Sequence, residues 1–326
     1  MWIREFPTHP LGYALVTLLV LAASFAARQI ARTQFAARTL RIGAHVAAPI
    51  VFLQALIAWG FAFINSYQRD WGWSALAAML VIVILYAADA WRAKSLYARW
   101  GAAVTMGVLA VLTCTQLQLA SIQTGIVLMI LAAGYLVIGK FLQREKHWRE
   151  GLPLYMVSAL LAVLVTLQAA MAYVKTPEHL ALALTGDVAL LALATYLFRR
   201  AELLYAVAWL GIAPVFIAAQ IYLHEMVWLG WVMGALMLAY AVTGFAIGRA
   251  RLRWGGAFLS AAALLSVMTP ALLYPNYFAL TMGLLAIAIL YACFALWLRW
   301  QWLLLAAFAV LNLALVAEWN VSGAVG

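Results

Sequence analysis

The chain has 326 residues, of which 68% are hydrophobic and only 9% are charged. This composition lies far outside the range of soluble globular domains and excludes that class. The net charge of +10 comes from cations that stand in small groups between apolar stretches, and such groups form no continuous groove for a nucleic-acid backbone.

Twelve apolar stretches follow one another along the chain, separated by short polar connections. Each is long enough, or nearly so, to cross about 30 Å of hydrocarbon as a helix. A helix also satisfies its backbone hydrogen bonds within one segment, as lipid requires. The twelve predicted spans are 11–27, 44–64, 74–91, 101–119, 125–142, 152–174, 180–198, 203–223, 227–247, 257–274, 277–298 and 301–317. We therefore predict an all-α integral membrane protein that forms a single transmembrane domain over residues 1–326.

The positions of lysine and arginine predict which side of the membrane each connection faces. Of the 20 cations, 17 stand beside connections that follow odd-numbered spans, and only Arg4, Arg69 and Lys175 stand on the other side. Because cytoplasmic loops carry most Lys and Arg, both termini are predicted to lie outside the cytoplasm of a bacterial inner membrane. Membrane lipids are the expected partners, and no nucleic acid is expected. Residues 28–43 predict a short amphipathic helix on the inner face.

A short motif, arginine followed by any residue and then glycine, opens several of the spans. The motif occurs at Arg41-Ile42-Gly43, Arg99-Trp100-Gly101, Arg149-Glu150-Gly151 and Arg253-Trp254-Gly255. The steps between its occurrences are 58, 50 and 104 residues, which indicates a unit of roughly fifty residues that holds two spans. The predicted hairpin units are 38–92, 94–144, 146–200, 201–251 and 252–299, with half-units at 1–37 and 300–326.

We interpret the repeated residues as assembly devices of the array. Arginine and tryptophan favour the level of the lipid headgroups, and glycine lets a neighbouring helix approach closely. Interfacial lipid contacts are therefore predicted for Arg41, Arg99, Trp100, Arg149, Arg253 and Trp254. Glutamines such as Gln116, Gln168 and Gln220, spaced 52 residues apart, are expected to bond between helices. Tyrosines recur toward the inner ends of the second helices, at Tyr86, Tyr135, Tyr196, Tyr240 and Tyr291.

Asp187 is the sharpest functional candidate, because a carboxylate inside a span is costly unless it is protonated, paired or wetted. At the helical rise it lies about 10 Å from the predicted outer boundary. Two interpretations stay open. One is a proton or cation site. The other is an acid that is hydrogen-bonded to Thr185 or to a neighbouring glutamine, or that reaches a wet crevice on the outer side. The candidate intramembrane polar site comprises Asp187, Thr185, Gln168 and Gln220.

The other polar residues predict no catalytic or cofactor chemistry. Asp89 is expected to pair with Arg92, three residues further along the same helix. The five histidines stand near span ends without forming local pairs, which gives no support for a metal site. Phosphate-binding loops and Ser-His-Asp arrangements are absent from the sequence. We therefore expect no enzyme, no metal and no cofactor.

The array of Arg-x-Gly starts resembles the large uncharacterised polytopic membrane proteins of bacteria, which are grouped as domains of unknown function. The resemblance covers residues 38–300 and rests on Arg99-Trp100-Gly101-Ala102 and Leu252-Arg253-Trp254-Gly255-Gly256. It implies a style of fold and a bacterial origin, and it implies no activity.

The sequence leaves two non-enzymatic functions open. A transporter or flippase of an apolar or amphipathic small molecule is favoured by the twelve short-looped spans and by Asp187. A non-catalytic membrane subunit or scaffold of a larger complex is favoured by the sparse polar interior.

Overall fold

A computed structural model of the chain describes residues 9–27, 34–64, 69–143 and 148–323, which form helices joined by short turns. The helices are α1 (His9–Ala27), α2 (Gln34–Ile64), α3 (Arg69–Ala93), α4 (Leu96–Gln116), α5 (Ser121–Leu142), α6 (Leu152–Met171), α7 (Pro177–Phe198), α8 (Ala201–Leu210), α9 (Ile212–Tyr222), α10 (Met226–Ala250), α11 (Leu252–Leu273), α12 (Tyr277–Leu298) and α13 (Gln301–Gly323). No strand occurs within these described ranges. The predicted all-α class is confirmed.

The described helices provide twelve stretches long and apolar enough to cross a membrane. Eleven of these spans are single helices, and the eighth consists of α8 and α9 together. Each predicted span overlaps one of them, with ends that differ by a few residues. The start of α7 at Pro177 shows why: proline is suited to the first helical position, so the helix begins before the apolar run does.

The start of α2 differs from the prediction of a separate surface helix over 28–43. Residues 34–43 are the first turns of one 31-residue helix, and residues 28–33 lie outside the described ranges. At the helical rise α2 is about 46 Å long, which exceeds the roughly 30 Å of hydrocarbon. The polar residues of its first turns can therefore continue the helix beyond the apolar layer.

The chain forms two compact units, Met1–Val165 (unit 1) and Thr166–Gly326 (unit 2). In unit 1, α1 packs against α2 and α3, α3 also packs against α2 and α4, and α4 contacts α5. The fully buried side chains of Met79, Ile82 and Leu85 place α3 at the centre of this unit. This packing determines which side chains meet at the ends of α2, α3 and α4.

In unit 2, α10 packs along α11, and α12 packs along α13. The two halves of the broken span, α8 and α9, both contact α7, while α8 also contacts α11 and α9 contacts α10. Met233, Met237 and Leu265 form the buried centre between α10 and α11. The broken span therefore lies between α7 and the α10–α11 pair.

Three of the four Arg-x-Gly glycines lie where a neighbouring group comes very close. A Cβ atom added to Gly101 would lie 2.7 Å from the Tyr86 ring, and one added to Gly151 would lie 2.6 Å from the carbonyl oxygen of Gly139. One added to Gly255 would lie 2.5 Å from the Cα of Gly248, whereas Gly43 has nothing within 4 Å. The predicted close approach therefore holds at three motif positions and fails at Gly43.

Candidate functional site

Asp187 lies on α7, ten residues after Pro177, which is about 15 Å along the helix. Its Oδ2 atom accepts a hydrogen bond of 2.5 Å from the hydroxyl of Thr166, on α6. Its Oδ1 atom is buried and has no hydrogen-bond partner among the described residues. The carboxylate therefore faces α6 and is held by Thr166, which was not among the partners expected from the sequence.

The other members of the predicted site do not gather around Asp187. The hydroxyl of Thr185 donates to the carbonyl oxygen of Ala181 in its own helix, at 2.7 Å. Gln168 and Gln220 are exposed, close to the ends of α6 and α9. Of the alternatives left open for Asp187, a hydrogen bond with Thr185 does not form, because residues two positions apart on a helix point to different sides.

Thr166→Val is expected to lower the free energy of unfolding by about 1–3 kcal/mol, because Asp187 loses its described hydrogen-bond donor inside an apolar layer. Thr185→Val is the matched control, and we expect less than about 1 kcal/mol from it, because its hydroxyl bonds only its own helix. Titration of the full chain with SDS, followed by circular dichroism, measures both. A larger loss of unfolding free energy from Thr185→Val than from Thr166→Val would contradict the structure and would favour Thr185 as the partner of Asp187.

A groove of about 910 Å³ opens in unit 2 on the side of α7 that Asp187 does not face. Five residues of α7 line it at helical spacing, and they are Glu178, Ala181, Leu182, Thr185 and Val188. The opposite wall comes from α9 and from α10, including Pro214, Ala218 and Tyr240. Most of the lining is apolar, so the groove offers space for a hydrocarbon group.

The groove lies over the break between α8 and α9. Gly211 is the single residue between the two helices, and Pro214 follows three residues later. Because proline has no N–H group, the carbonyl of Leu210 receives no helical hydrogen bond from position 214. A Cβ atom added to Gly211 would lie 2.7 Å from the hydroxyl of Tyr240, so glycine allows this tyrosine to reach the break.

Polar groups stand at separate points along the groove. Glu178 is exposed in the first turn of α7, and Thr185 lies two turns further along the same face. Tyr240 brings its hydroxyl to the break, with its ring edge-on to Phe258 at 5.7 Å between centroids. The arrangement can hold an extended molecule that has one polar end.

A second carboxylate, Asp89, lies at the end of α3 in unit 1 and is fully buried. Its Oδ2 atom accepts a hydrogen bond of 2.7 Å from Nη2 of Arg41 and lies 3.0 Å from Nε2 of His45. The predicted pair with Arg92 is wrong. The Arg92 guanidinium instead lies 5.1 Å from the centre of the Phe25 ring, because Asp89 points toward α2.

Arg99 also binds within the protein rather than at its surface, where lipid contact was predicted. Its side chain is 9% exposed, and its Nη1 atom lies 3.4 Å from Oε2 of Glu150. The same Nη1 donates to the Glu150 carbonyl oxygen at 3.3 Å. Glu150 belongs to the next Arg-x-Gly motif, so this ion pair joins two successive motifs.

The remaining predicted lipid contacts divide into exposed and half-buried positions. Arg149 and Arg253 are exposed and free to reach a headgroup layer. Trp254 is half-buried and packs against the core of unit 2, and Trp100 is half-buried as well. Arg41 is held by Asp89 with 21% of its side chain exposed. Lipid contact stays a prediction for this group.

The recurring tyrosines act as bridges between helices at several positions. The Tyr135 hydroxyl donates to the Ala103 carbonyl oxygen at 2.8 Å, and those of Tyr291 and Ser266 lie 2.6 Å apart. Tyr196 differs, because 79% of it is exposed. The hydroxyls of Tyr135 and Tyr291 therefore join neighbouring helices.

The next feature is the grouping of side chains that could bind a metal ion. Within the described ranges, no group of three or more histidine, cysteine, aspartate or glutamate side chains lies close enough to hold a metal ion. His147 and the side chain of His9 lie outside the described residues. Among the described residues, Asp89, Asp187 and Glu150 have carboxylates with a polar side chain as partner.

Sequence reasoning missed the groove and the partners of the carboxylates. Two signals were present: the Gly211 and Pro214 pair inside one span, and separations of 48 and 51 residues for the bonds of Asp89 to Arg41 and of Arg99 to Glu150. These separations are close to the predicted period. The partner of each of these side chains therefore lies about one predicted unit away along the chain.

The chain was compared with protein-family models, with curated proteins and with solved structures, and nothing in any of the three matches it. The resemblance of residues 38–300 to uncharacterised bacterial membrane proteins therefore stays a prediction. No relative's activity bears on this chain, and its function follows from its own residues.

Proposed function

We propose that the chain is a multipass transporter or flippase of an apolar or amphipathic small molecule in a bacterial inner membrane. The groove in unit 2 is the observation that carries this proposal. Twelve apolar helices are consistent with a multipass membrane protein, and the cations beside alternate connections favour termini outside the cytoplasm.

The length of the groove suits a molecule that lies in one leaflet. From Glu178 to Val188 the lining residues of α7 cover ten positions, which is about 15 Å of helix. That is roughly half of the 30 Å of hydrocarbon. A groove of this length leads from one end of the helices to the middle of the bilayer.

The chemistry of the lining favours an amphipathic occupant. Apolar side chains such as Leu182 and Val215 suit a hydrocarbon tail, and the hydroxyl of Tyr240 offers a polar contact near the break. Glu178 places one negative charge at the end of the groove, which favours a headgroup with a positive charge. The substrate class that fits best is an amphipath with a cationic or zwitterionic head.

The broken span supplies a place where the groove can change shape. Discontinuous helices that meet near the middle of the membrane form the substrate sites of many transporters. Gly211 lies midway along the eighth span, which runs over Ala201–Tyr222. We infer that α9 moves relative to α8 about Gly211, and that this movement opens and closes the groove.

Ala218→Trp is expected to slow transport by about tenfold or more, because the indole projects into the groove and obstructs it, and a tenfold effect requires only about 1.4 kcal/mol. Ala218 lines the groove on α9. The measurement uses the full chain in liposomes, with a fluorescent phosphatidylcholine whose transfer between leaflets is followed by dithionite bleaching. The unmodified protein is expected to accelerate this transfer over protein-free liposomes.

Ala239→Trp is the control for this experiment. Ala239 is exposed on α10 and is not among the residues that line the groove. An indole at this position therefore points away from the protein and leaves the groove open. Equal slowing by both substitutions would reject the groove as the path. Absence of lipid transfer by the unmodified chain would reject a phospholipid substrate.

A non-catalytic membrane subunit is the alternative function, and the interior polar groups favour it. Several buried hydroxyls bond only to their own helix, including those of Thr17, Ser24 and Thr195, so they offer nothing to a substrate. A stable partner that co-purifies with the chain in mild detergent would support this alternative. A chain that purifies alone and transfers lipid would reject it.

A further inference from the structure

A pocket of about 790 Å³ opens in unit 1, beside the first turns of α2 and the connection from α3 to α4. Arg38, Arg41 and His45 line it from one face of α2, at spacings of three and four residues. Ser95 and Tyr97 line it from the start of α4. We call this the basic pocket, and it lies in a different unit from the groove.

The basic pocket carries an excess of positive charge. No acidic side chain is among its lining residues, and Asp89, which lies behind Arg41 and His45, is fully buried. Asp89 bonds Arg41 and His45 but not Arg38. Arg38 is exposed and has no ion pair with another described residue. At least one positive charge is therefore left for a ligand.

Asp89 also fixes the direction of the cations. Its Oδ2 atom bonds Arg41 and His45 at 2.7 and 3.0 Å, which holds both side chains at the wall of the pocket. Nε of Arg41, Nδ1 of His45 and Oδ1 of Asp89 are buried without a hydrogen-bond partner among the described residues. Buried polar atoms are normally satisfied, so this cluster has bonding capacity that the described side chains do not use.

The start of α4 adds donors to the same pocket. Ser95 is the N-cap, and its Oγ accepts from the backbone N–H of Ala98 at 3.4 Å, which leaves the Ser95 hydroxyl proton free to donate. The first N–H groups of a helix have no partner within the helix and favour anions. Two arginines at such a helix start form a favourable environment for a compact anion with several acceptor oxygens.

We propose that the basic pocket binds a phosphate group, carried either by a lipid headgroup or by a soluble phosphate. Phosphate matches the planar guanidinium groups, which donate paired hydrogen bonds to its oxygens. Ile42 and Val46 line the pocket between the cations, and they give an apolar surface for the group that bears the phosphate. The site is independent of the groove and of the proposed transport.

The test measures thermal unfolding of the purified full chain in a neutral detergent, followed by tryptophan fluorescence. The chain is titrated with inorganic phosphate in one arm and with short-chain phosphatidic acid in the other, at constant ionic strength. A ligand that binds the native state raises the unfolding temperature in proportion to its occupancy. A rise with phosphatidic acid alone identifies the lipid headgroup as the source, and a rise with both probes identifies the phosphate itself.

Arg38→Gln is expected to weaken the apparent affinity about tenfold, as befits the loss of one charge-assisted contact. Lys94→Gln is the matched control, because Lys94 is exposed, adjoins Ser95 and does not line the pocket. The affinity of this variant is expected to stay within about twofold of the unmodified chain, because the Lys94 charge is exposed outside the pocket, where salt screens its attraction for the ligand. Both positions are exposed, so neither change should affect folding, which the unfolding temperature without ligand verifies.

Two results would overturn the proposal. One is no rise in unfolding temperature with either probe. The other is an equal loss of affinity in Arg38→Gln and Lys94→Gln, which would indicate attraction to the net positive charge rather than a pocket.

Discussion

Asp89→Ala is expected to lower the free energy of unfolding by about 3–5 kcal/mol, the usual result of breaking a buried ion pair by removing one partner. The carboxylate is fully buried and bonds Nη2 of Arg41 at 2.7 Å. Without it, Arg41 and His45 remain at the edge of an apolar layer with no counter-charge. SDS titration of the full chain, followed by circular dichroism, measures the loss.

Two further variants identify the partner of Asp89. Arg41→Ala is expected to cost about as much as Asp89→Ala, and the double variant much less than the sum of the two, because they break the same interaction. Arg92→Ala is expected to cost only about 0.5–1 kcal/mol, the value of an exposed contact between a cation and an aromatic ring. A large loss in Arg92→Ala with none in Arg41→Ala would contradict the structure and favour the local pair.

The spans were predictable because lipid leaves the chain little choice. A backbone in hydrocarbon must form helix, so runs of apolar residues translate directly into helices, and the twelve described spans follow. The ends of helices were less predictable. At α2, residues 34–43 carry charge and were expected to belong to a separate amphipathic helix on the membrane surface, but they are the first turns of the single helix Gln34–Ile64.

The partners of the carboxylates were not predictable from local spacing. Asp89 has an arginine three residues away, which is a favourable helical spacing, yet its contact is 48 residues back along the chain. Which face of α3 meets α2 is decided by packing around side chains such as Met79, and a single helix does not encode that choice. The same holds for Asp187, whose hydrogen-bond donor is Thr166 on α6 and not the nearby Thr185 of its own helix.

The amino-acid composition does not predict the groove. It exists because α7, α9 and α10 leave space between them, and such space depends on how side chains fill the gaps between helices. Its one trace in the sequence is the combination of Gly211 with Pro214, which predicts a weak point in the eighth span. The tyrosine that reaches this point, Tyr240, stands 29 residues further on.

The second large effect is expected where α10 and α11 meet at Gly255 in unit 2. Gly255→Ala should lower the free energy of unfolding by about 1–3 kcal/mol, the cost of forcing an extra methyl group into packed space. The added Cβ would contact the Gly244 carbonyl oxygen and would lie 2.5 Å from the Cα of Gly248. Because these are backbone atoms of α10, no side-chain rotation can relieve the clash, and α10 and α11 must move apart.

Gly43→Ala is the matched control, since Gly43 holds the same place in its Arg-x-Gly motif but has nothing within 4 Å of an added Cβ. There the change should raise stability by up to about 1 kcal/mol, because alanine favours a helix over glycine. The two substitutions are chemically identical and are expected to differ in sign when unfolding of the full chain is measured in SDS. Equal effects would mean that the motif glycine acts through helix propensity alone. Opposite effects would mean that the motif glycine allows close helix contact at Gly255 and has no such role at Gly43.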